Sequence, residues 1–235
     1  MAISRSRLDK LLSDKLNIKR KDVRLLLAQK RVFVDGSLAL DIDLIVDSFS
    51  LITVDGDIVQ ANQAKYVMLH KPVGVVSATK DELHKTVIDL LDVPYKSSLH
   101  IAGRLDLNSS GLLLLTNDSR WSERLSKPDS KVAKSYQVTL ANKLTEDMIP
   151  AFLNGMYFEF ENITTKPAKL EVLSDYVAKV ELVEGKYHQI KRMFGRFRNP
   201  VVKLHRQSIG NLQLDVTLKP GESRELHPVE VQSIF

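Results

Sequence analysis

HIAGRLDLNSSGLLLLTND, residues His100 to Asp118, joins a charged turn to the most apolar strand that the sequence predicts. Arg104 and Asp106 lie in a run of small polar residues, and four consecutive leucines, Leu112–Leu115, follow them. A short apolar run bounded by turn residues indicates a buried strand. The Asp, Asn, Ser and Gly residues before it are typical of a tight turn. Taken alone, this pattern predicts a turn beside a core strand and assigns no chemistry to Asp106.

Length and composition narrow the class of protein. A chain of 235 residues holds one large domain or two unequal ones, and 43% hydrophobic residues suffice for a packed core. The chain has no cysteine, which excludes disulfides and thiolate metal sites, and its six histidines are scattered, so we expect no metal site. The sequence shows no signal-peptide core and no apolar window long enough to cross a bilayer. We therefore expect a cytoplasmic protein with no membrane association.

The net charge of +5 is distributed unevenly along the chain. Residues 1–31 carry ten Lys/Arg and three Asp, whereas residues 32–62 carry no Lys/Arg and six Asp. A second basic block, residues 185–206, has seven Lys/Arg and no acid, and it supplies Arg192 and Arg198 as candidate RNA contacts. Two basic blocks favour a polyanionic partner touched at two places. The alternative is that both blocks are ordinary solvated surfaces.

The N-terminal part, residues 1–61, reads as a small separate unit. Leu8, Leu12 and Leu16 follow helical spacing after Ser6, a candidate N-cap, and a second basic helix follows. Two short strands then end in the turn dipeptides Asp35-Gly36 and Asp55-Gly56. A unit of about 60 residues has marginal stability. The polar stretch from Gln60 to Lys65 is the expected linker.

This unit resembles the S4 RNA-binding domain. The resemblance rests on RLDKLL, on KRKDVRLLLAQKRVFVDG (Lys19–Gly36) and on TVDGD (Thr53–Asp57). It implies that the helical pair faces structured RNA, with four basic residues as the candidate contacts: Lys19, Arg20, Lys21 and Arg24. The alternative is a small helical adaptor that binds protein.

The remainder, residues 65–235, predicts an α+β domain around a mixed, largely antiparallel sheet. KYVMLHKPVGVVSAT indicates a strand, a turn and a second strand, while KSYQVTL and AKVELVEG alternate as half-buried strands do. TEDMIPAFLNG predicts a helix that ends before Gly155, and YHQIKRMFGRF predicts another. Strands outnumber helices and lack regular βαβ alternation, which favours this α+β class.

Three segments of this domain together resemble the motifs of pseudouridine synthases. GRLDLNSSGLLLLTND, KSYQVTL and EGKYHQIKRMF stand in the order and approximate spacing of the three motifs in the RsuA family. KPVGVVSAT, TKPAKLEV, LHRQSIG and LKPGESREL also resemble that family, so the similarity covers nearly the whole chain. Two departures are Ser109, where relatives often carry Thr, and Lys191, where many carry Arg.

The resemblance implies a role for each of four residues. Asp106 is the implied nucleophile, since a carboxylate can attack covalently and later leave. Arg104 matches the arginine that helps displace the target base, and Tyr136 the aromatic that stacks on the flipped uracil. Lys191 is expected to pair with Asp106 and keep the carboxylate charged. The family works without metal, nucleotide or redox cofactor.

The implied function is isomerisation of a specific uridine to pseudouridine in 16S ribosomal RNA. Two alternatives remain: a 23S rRNA pseudouridine synthase of the same family, or a non-catalytic RNA-binding factor in ribosome assembly. The joint presence of Asp106, Tyr136 and Lys191 argues against the second alternative. We expect ribosomal RNA as partner, no small-molecule cofactor and a monomeric protein.

Overall fold

A computed structural model describes residues 5–127 and 130–235. The chain divides into two compact units. The first extends to Lys65 and includes residues 118–120, and the second comprises residues 66–117 and 121–235. No helix in the described part of the chain is both long and apolar enough to cross a membrane.

The first unit contains two helices and six short strands among its described residues. Their bounds are β1 Ser6–Arg7, α1 Leu8–Leu16, α2 Arg20–Ala28, β2 Val32–Val34, β3 Ser37–Leu38, β4 Ile45–Val46, β5 Ile52–Val54 and β6 Asp57–Gln60. Four strands form a sheet in the order β3-β2-β5-β6, and β1 pairs with β4. Leu8, Leu12, Val23 and Leu27 bring the two helices into one core with the sheet.

The turns of this unit follow the sequence, whereas two boundaries do not. Asp35 and Asp55 have φ of 51° and 54°, and each precedes a glycine with positive φ, as type I′ hairpins require. Ser6 does not cap α1, because Ser6 lies in β1 and Arg7 is the N-cap residue. Gln60 belongs to β6 and not to a linker, since its buried side chain donates to the carbonyls of residues 47 and 50.

The second unit is built on a nine-stranded sheet among the described residues. The elements that follow along the chain are β7 Tyr66–Lys71, β8 His100–Ile101, β9 Ser109–Thr116, α3 Ser119–Ser126, β10 Lys134–Leu140, α4 Met148–Asn154, β11 Tyr157–Phe158, β12 Ile163–Thr164, β13 Lys169–Ser174, β14 Val177–Leu182, α5 Gln189–Gly195, β15 Val201–Ile209, β16 Leu212–Gln213, β17 Ser223–Glu225 and α6 Pro228–Ser233, and the first two residues of α3 are assigned to the first unit. The main order is β13-β14-β10-β15-β9-β7-β17, and only β9 with β15 pairs in parallel. The predicted α+β class with a mixed, largely antiparallel sheet is confirmed.

Strand β9 lies in the interior of this sheet, and both of its faces are covered. Leu113 and Leu115 face one core, while Leu112 and Leu114 face the other, and all four are fully buried. A strand buried on both faces reads as a continuous apolar run, which explains the four leucines. Before them, Gly111 has φ of 109°, and a Cβ there would lie 2.2 Å from the Arg206 carbonyl oxygen. Only glycine therefore allows β15 to approach β9 so closely.

One predicted strand does not form. KPVGVVSAT has no second strand after β7, and Val76 makes only an isolated bridge to Thr86. The Ser77 side chain bonds to the Asp106 turn, since its hydroxyl donates to the Leu105 carbonyl and accepts from the Leu105 N–H. The Gly74 N–H donates to the Leu107 carbonyl at 2.9 Å. This segment therefore packs against the turn that carries Asp106 instead of extending the sheet.

Candidate active site

Asp106 lies in the turn between β8 and β9, at an open cleft. Its side chain is 32% exposed. The cleft has a charged edge and an apolar wall, and its lining includes Arg104, Lys186 and Lys191 together with Leu105, Tyr136, Leu182, Ile190 and Leu204. A carboxylate at the edge of such a cleft can meet a polar ligand that is withdrawn from bulk water.

Two basic side chains contact the same carboxylate oxygen of Asp106. Lys191 Nζ donates to Oδ2 at 3.0 Å, and His188 Nε2 lies 3.3 Å from the same atom. Lys191 is the third residue of α5, and His188 is the residue immediately before that helix. The start of α5 thus brings both groups to the carboxylate.

Tyr136 lines the same cleft from the middle of β10. Its neighbours across the sheet are Val180 on β14 and Arg206 on β15, and the residue is 7% exposed. A buried aromatic wall in a cleft can receive the flat face of a base. The structure therefore brings Asp106, Tyr136 and Lys191 together, as the resemblance implied.

Lys71 is fully buried and holds the main chain of the Asp106 turn. Its Nζ donates to the carbonyl oxygens of Asp106 at 3.1 Å, Ser109 at 2.8 Å and Pro72 at 2.9 Å. Burial lowers the pKa of Lys71 to about 8, with the Asp106 charge opposing the shift and Arg206 adding to it. Sequence reasoning missed this residue. The signal was the pattern YVMLHK, which places a lysine on the core side, in register with two apolar residues.

Arg206 bonds to the main chain on both sides of Asp106, at Arg104 and at Leu112. Its Nε donates to the Leu112 carbonyl at 2.7 Å, and Nη1 donates to the Arg104 carbonyl at 3.4 Å. The residue is 2% exposed. Two buried cations, Lys71 and Arg206, therefore hold the turn through its carbonyls and set the direction in which Asp106 projects.

His188 is a second residue that sequence reasoning missed. Its φ is 49°, a left-handed conformation that is uncommon outside glycine and asparagine. Its position three residues before Lys191 could have revealed it, since residues three apart share one face near a helix start.

The remaining predicted residues are placed differently. Arg104 is exposed and lines the cleft, and Arg198 is exposed beyond the end of α5. The Arg192 guanidinium pairs with Glu161 and lies 4.1 Å over the Phe158 ring, so it is engaged within the chain. Four cations at the start of α2 are exposed: Lys19, Arg20, Lys21 and Arg24. Contact of these side chains with RNA stays a prediction.

Within residues 5–127 and 130–235, no group of three or more His, Asp or Glu side chains is arranged to hold a metal ion. The polar side chains that line the cleft include the cations Arg104, Lys186 and Lys191 and the Asp106 carboxylate, which suit an anionic or hydrogen-bonding ligand.

Comparison with known proteins identifies the family of this chain. Residues 65–195 match the RNA pseudouridylate synthase family. Proteins named ribosomal small subunit pseudouridine synthase A are similar along nearly their full length. The protein of Pseudomonas aeruginosa is 43% identical over 97% of this chain and all of its own, and that of Vibrio cholerae is 41% identical over 97% and 99%. A crystal structure of a pseudouridylate synthase superposes with a TM-score of 0.72 at 36% identity, covering 97% of this chain and 99% of that one. The chain belongs to the RNA pseudouridylate synthase family.

Proposed function

We propose that this protein isomerises a specific uridine of 16S ribosomal RNA to pseudouridine, with Asp106 as the nucleophile. The observation that carries the proposal is the position of the Asp106 carboxylate, which lies at the cleft edge with Lys191 3.0 Å away and Tyr136 in the same wall. The small-subunit substrate is supported by the name of the relatives that match nearly the whole chain.

The reaction breaks the bond between N1 and C1′, rotates the uracil and forms a bond between C5 and C1′. The proton leaves C5 and N1 gains one, so no cofactor is consumed. Asp106 attacks covalently and is later released. Both basic contacts of the carboxylate go to Oδ2, and no side chain of the described residues donates to Oδ1. Oδ1 is therefore the oxygen that faces the substrate in this proposal.

Tyr136 and Arg104 have supporting roles. Flipping a nucleotide out of a stack costs a few kcal/mol, and stacking on an aromatic side chain recovers roughly 1–3 kcal/mol per base. Tyr136 receives the flipped uracil, and the exposed Arg104 at the cleft takes the place that the base has left. The buried pair Lys71 and Arg206 keeps Asp106 aimed during both events.

The test uses unmodified 16S and 23S transcripts incubated with wild-type protein, Asp106→Asn and the matched control Asp175→Asn. Asp175 is an exposed aspartate paired with Lys143 outside the cleft. We expect pseudouridine in 16S RNA with wild type and the control, and none with Asp106→Asn. Turnover by Asp106→Asn would remove the nucleophile assignment. Product in 23S RNA alone would identify the 23S enzyme, and no product in either RNA would favour the non-catalytic assembly factor.

We further propose that the first unit binds RNA as an S4 domain, a role supported by its exposed cations at the start of α2. The domain bounds 1–61 and 65–235 belong to this proposal. The cytoplasmic location and the monomeric state stay predictions from the sequence.

A further inference from the structure

Tyr187 is an exposed aromatic residue at the mouth of the cleft. It lies between Lys186 and His188, which both line the cleft, and it is 74% exposed. Its ring stacks on the His188 imidazole with 3.9 Å between centroids and an interplanar angle of 20°. The imidazole contacts the Asp106 carboxylate at 3.3 Å. Two parallel rings therefore lead from solvent to the proposed nucleophile.

Exposure of a single aromatic ring is common and requires no explanation by itself. Phe160, at the turn between β11 and β12, is 98% exposed and carries no inference. Tyr187 differs because one face of its ring is covered by His188, which leaves the opposite face to solvent beside the cleft. His188 reaches this position only through a left-handed backbone, and such conformations concentrate at functional sites.

The surroundings indicate which ligand fits the free face. Tyr187 is the third residue of the basic block 185–206, which has seven Lys/Arg and no acid. Exposed cations of this block, such as Arg196 and Arg198, attract phosphates, whereas a flat aromatic face stacks on a base whatever its identity. An unpaired nucleotide supplies both groups at once.

We propose that Tyr187 stacks on an unpaired RNA base that neighbours the target uridine, while the uridine itself enters the cleft beside Tyr136. The inference rests on the proposed function, since it requires an RNA substrate in this cleft. Removal of the uridine from its stack exposes a face of the adjacent base. In this proposal Tyr187 covers that face, and the enzyme therefore favours substrates in which the adjacent base is unpaired.

Fluorescence gives a direct test that does not depend on turnover. The chain has a single tryptophan, Trp121, which is buried and gives a constant background. Tyr187→Trp places a reporter on the imidazole, and Tyr176→Trp places a control at a half-exposed tyrosine between β13 and β14, outside the cleft. Unmodified 16S transcript should quench the added signal of Tyr187→Trp and leave that of Tyr176→Trp unchanged. Equal quenching, or none, overturns the proposal.

Affinity for the same transcript separates stacking from general packing. Tyr187→Ala and Tyr187→Leu should raise Kd about 5- to 150-fold, the range that corresponds to one base stack. Tyr187→Phe keeps the ring and should bind like wild type, and Tyr176→Ala should have no effect. If Tyr187→Leu binds like wild type, an aromatic face is not required and the proposal fails.

The two proposals fail in different ways. If wild-type protein forms no pseudouridine in the transcripts, the proposed function is wrong, whatever the fluorescence shows. If wild type is active but Tyr187→Ala keeps both its Kd and its rate, only the stacking role of Tyr187 is wrong.

Discussion

Lys191→Ala removes the cation closest to the proposed nucleophile and is the sharpest test of the pairing. The Nζ to Oδ2 distance of 3.0 Å gives a gross attraction of about 5–6 kcal/mol at an effective dielectric constant of about 20. Water screens part of this, because the two side chains are 28% and 32% exposed. We therefore expect Lys191→Ala to raise the activation free energy of the reaction by about 2–3 kcal/mol, the value typical of a lost hydrogen bond to a charged group.

That increase corresponds to a rate about 30- to 150-fold lower. The partial exposure also means that folding should be unaffected. Lys191→Arg retains the charge and should retain much of the activity. Arg198→Ala is the matched control, because it removes an exposed cation of the same basic block that lies outside the cleft.

The assay is single-turnover formation of pseudouridine at saturating RNA and low salt, where weakened binding does not limit the rate. The expected order is wild type, then Arg198→Ala and Lys191→Arg, with Lys191→Ala far below. If Lys191→Ala reacts as fast as Arg198→Ala, Lys191 is one more surface cation and the pairing has no role in the reaction.

Three further predictions concern the close approach of β9 and β15, the buried Lys71 and the exposed cations of the first unit. Gly111→Ala should lower the free energy of unfolding by about 3 kcal/mol or more, because its Cβ would lie 2.2 Å from the Arg206 carbonyl oxygen. Gly195→Ala is the control and should not lower that free energy, because a Cβ there meets open space. Thermal melts of the two variants make the comparison. Lys71→Met should cost roughly 2–4 kcal/mol by leaving buried carbonyls without a donor. Burial lowers the pKa of Lys71 from 10.5 to about 8, so between these pH values the unfolded chain binds one proton more than the folded chain. The free energy of unfolding of wild type, relative to that of Lys71→Met, should therefore rise with pH across this window and show no trend below it. Urea titrations from pH 7 to 10.5 measure this difference. The third change replaces the four exposed cations of α2 and its N-cap together, as Lys19→Ala, Arg20→Ala, Lys21→Ala and Arg24→Ala. The slope of log K for RNA binding against log salt should become shallower by up to about 3. An unchanged slope would contradict an RNA-binding first unit.

Local pattern was sufficient for the elements that present the site. The four leucines predicted β9, and the alternation in KSYQVTL and AKVELVEG predicted β10 and β14. The positions of apolar residues in YHQIKRMFGRF predicted α5, which carries Lys191. These predictions succeeded because each depends on the spacing of apolar residues within a short segment. The packed core selects that same spacing, on the strands and on the helix alike.

The elements that failed depend on partners distant in sequence. KPVGVVSAT has strand composition, but its Ser77 bonds to Leu105 in the turn, 28 residues away. Gly111 is required by Arg206, which reaches it through the parallel pairing of β9 with β15. No local pattern states which strand will lie next to another, so neither the lost strand nor the close approach could be predicted from the sequence.

The basic residues show the same limit with a consequence for function. Counted along the chain, Arg206, Arg192 and Arg198 all belong to a basic block whose charge predicts a polyanionic partner. In the fold, Arg206 is buried and bonded to carbonyls, Arg192 is paired with Glu161, and only Arg198 is exposed. A phosphate can release counterions only where it reaches the cation. Two of the seven cations of the block, Arg192 and Arg206, are therefore engaged within the chain, and the buried Arg206 serves to hold the turn that presents Asp106.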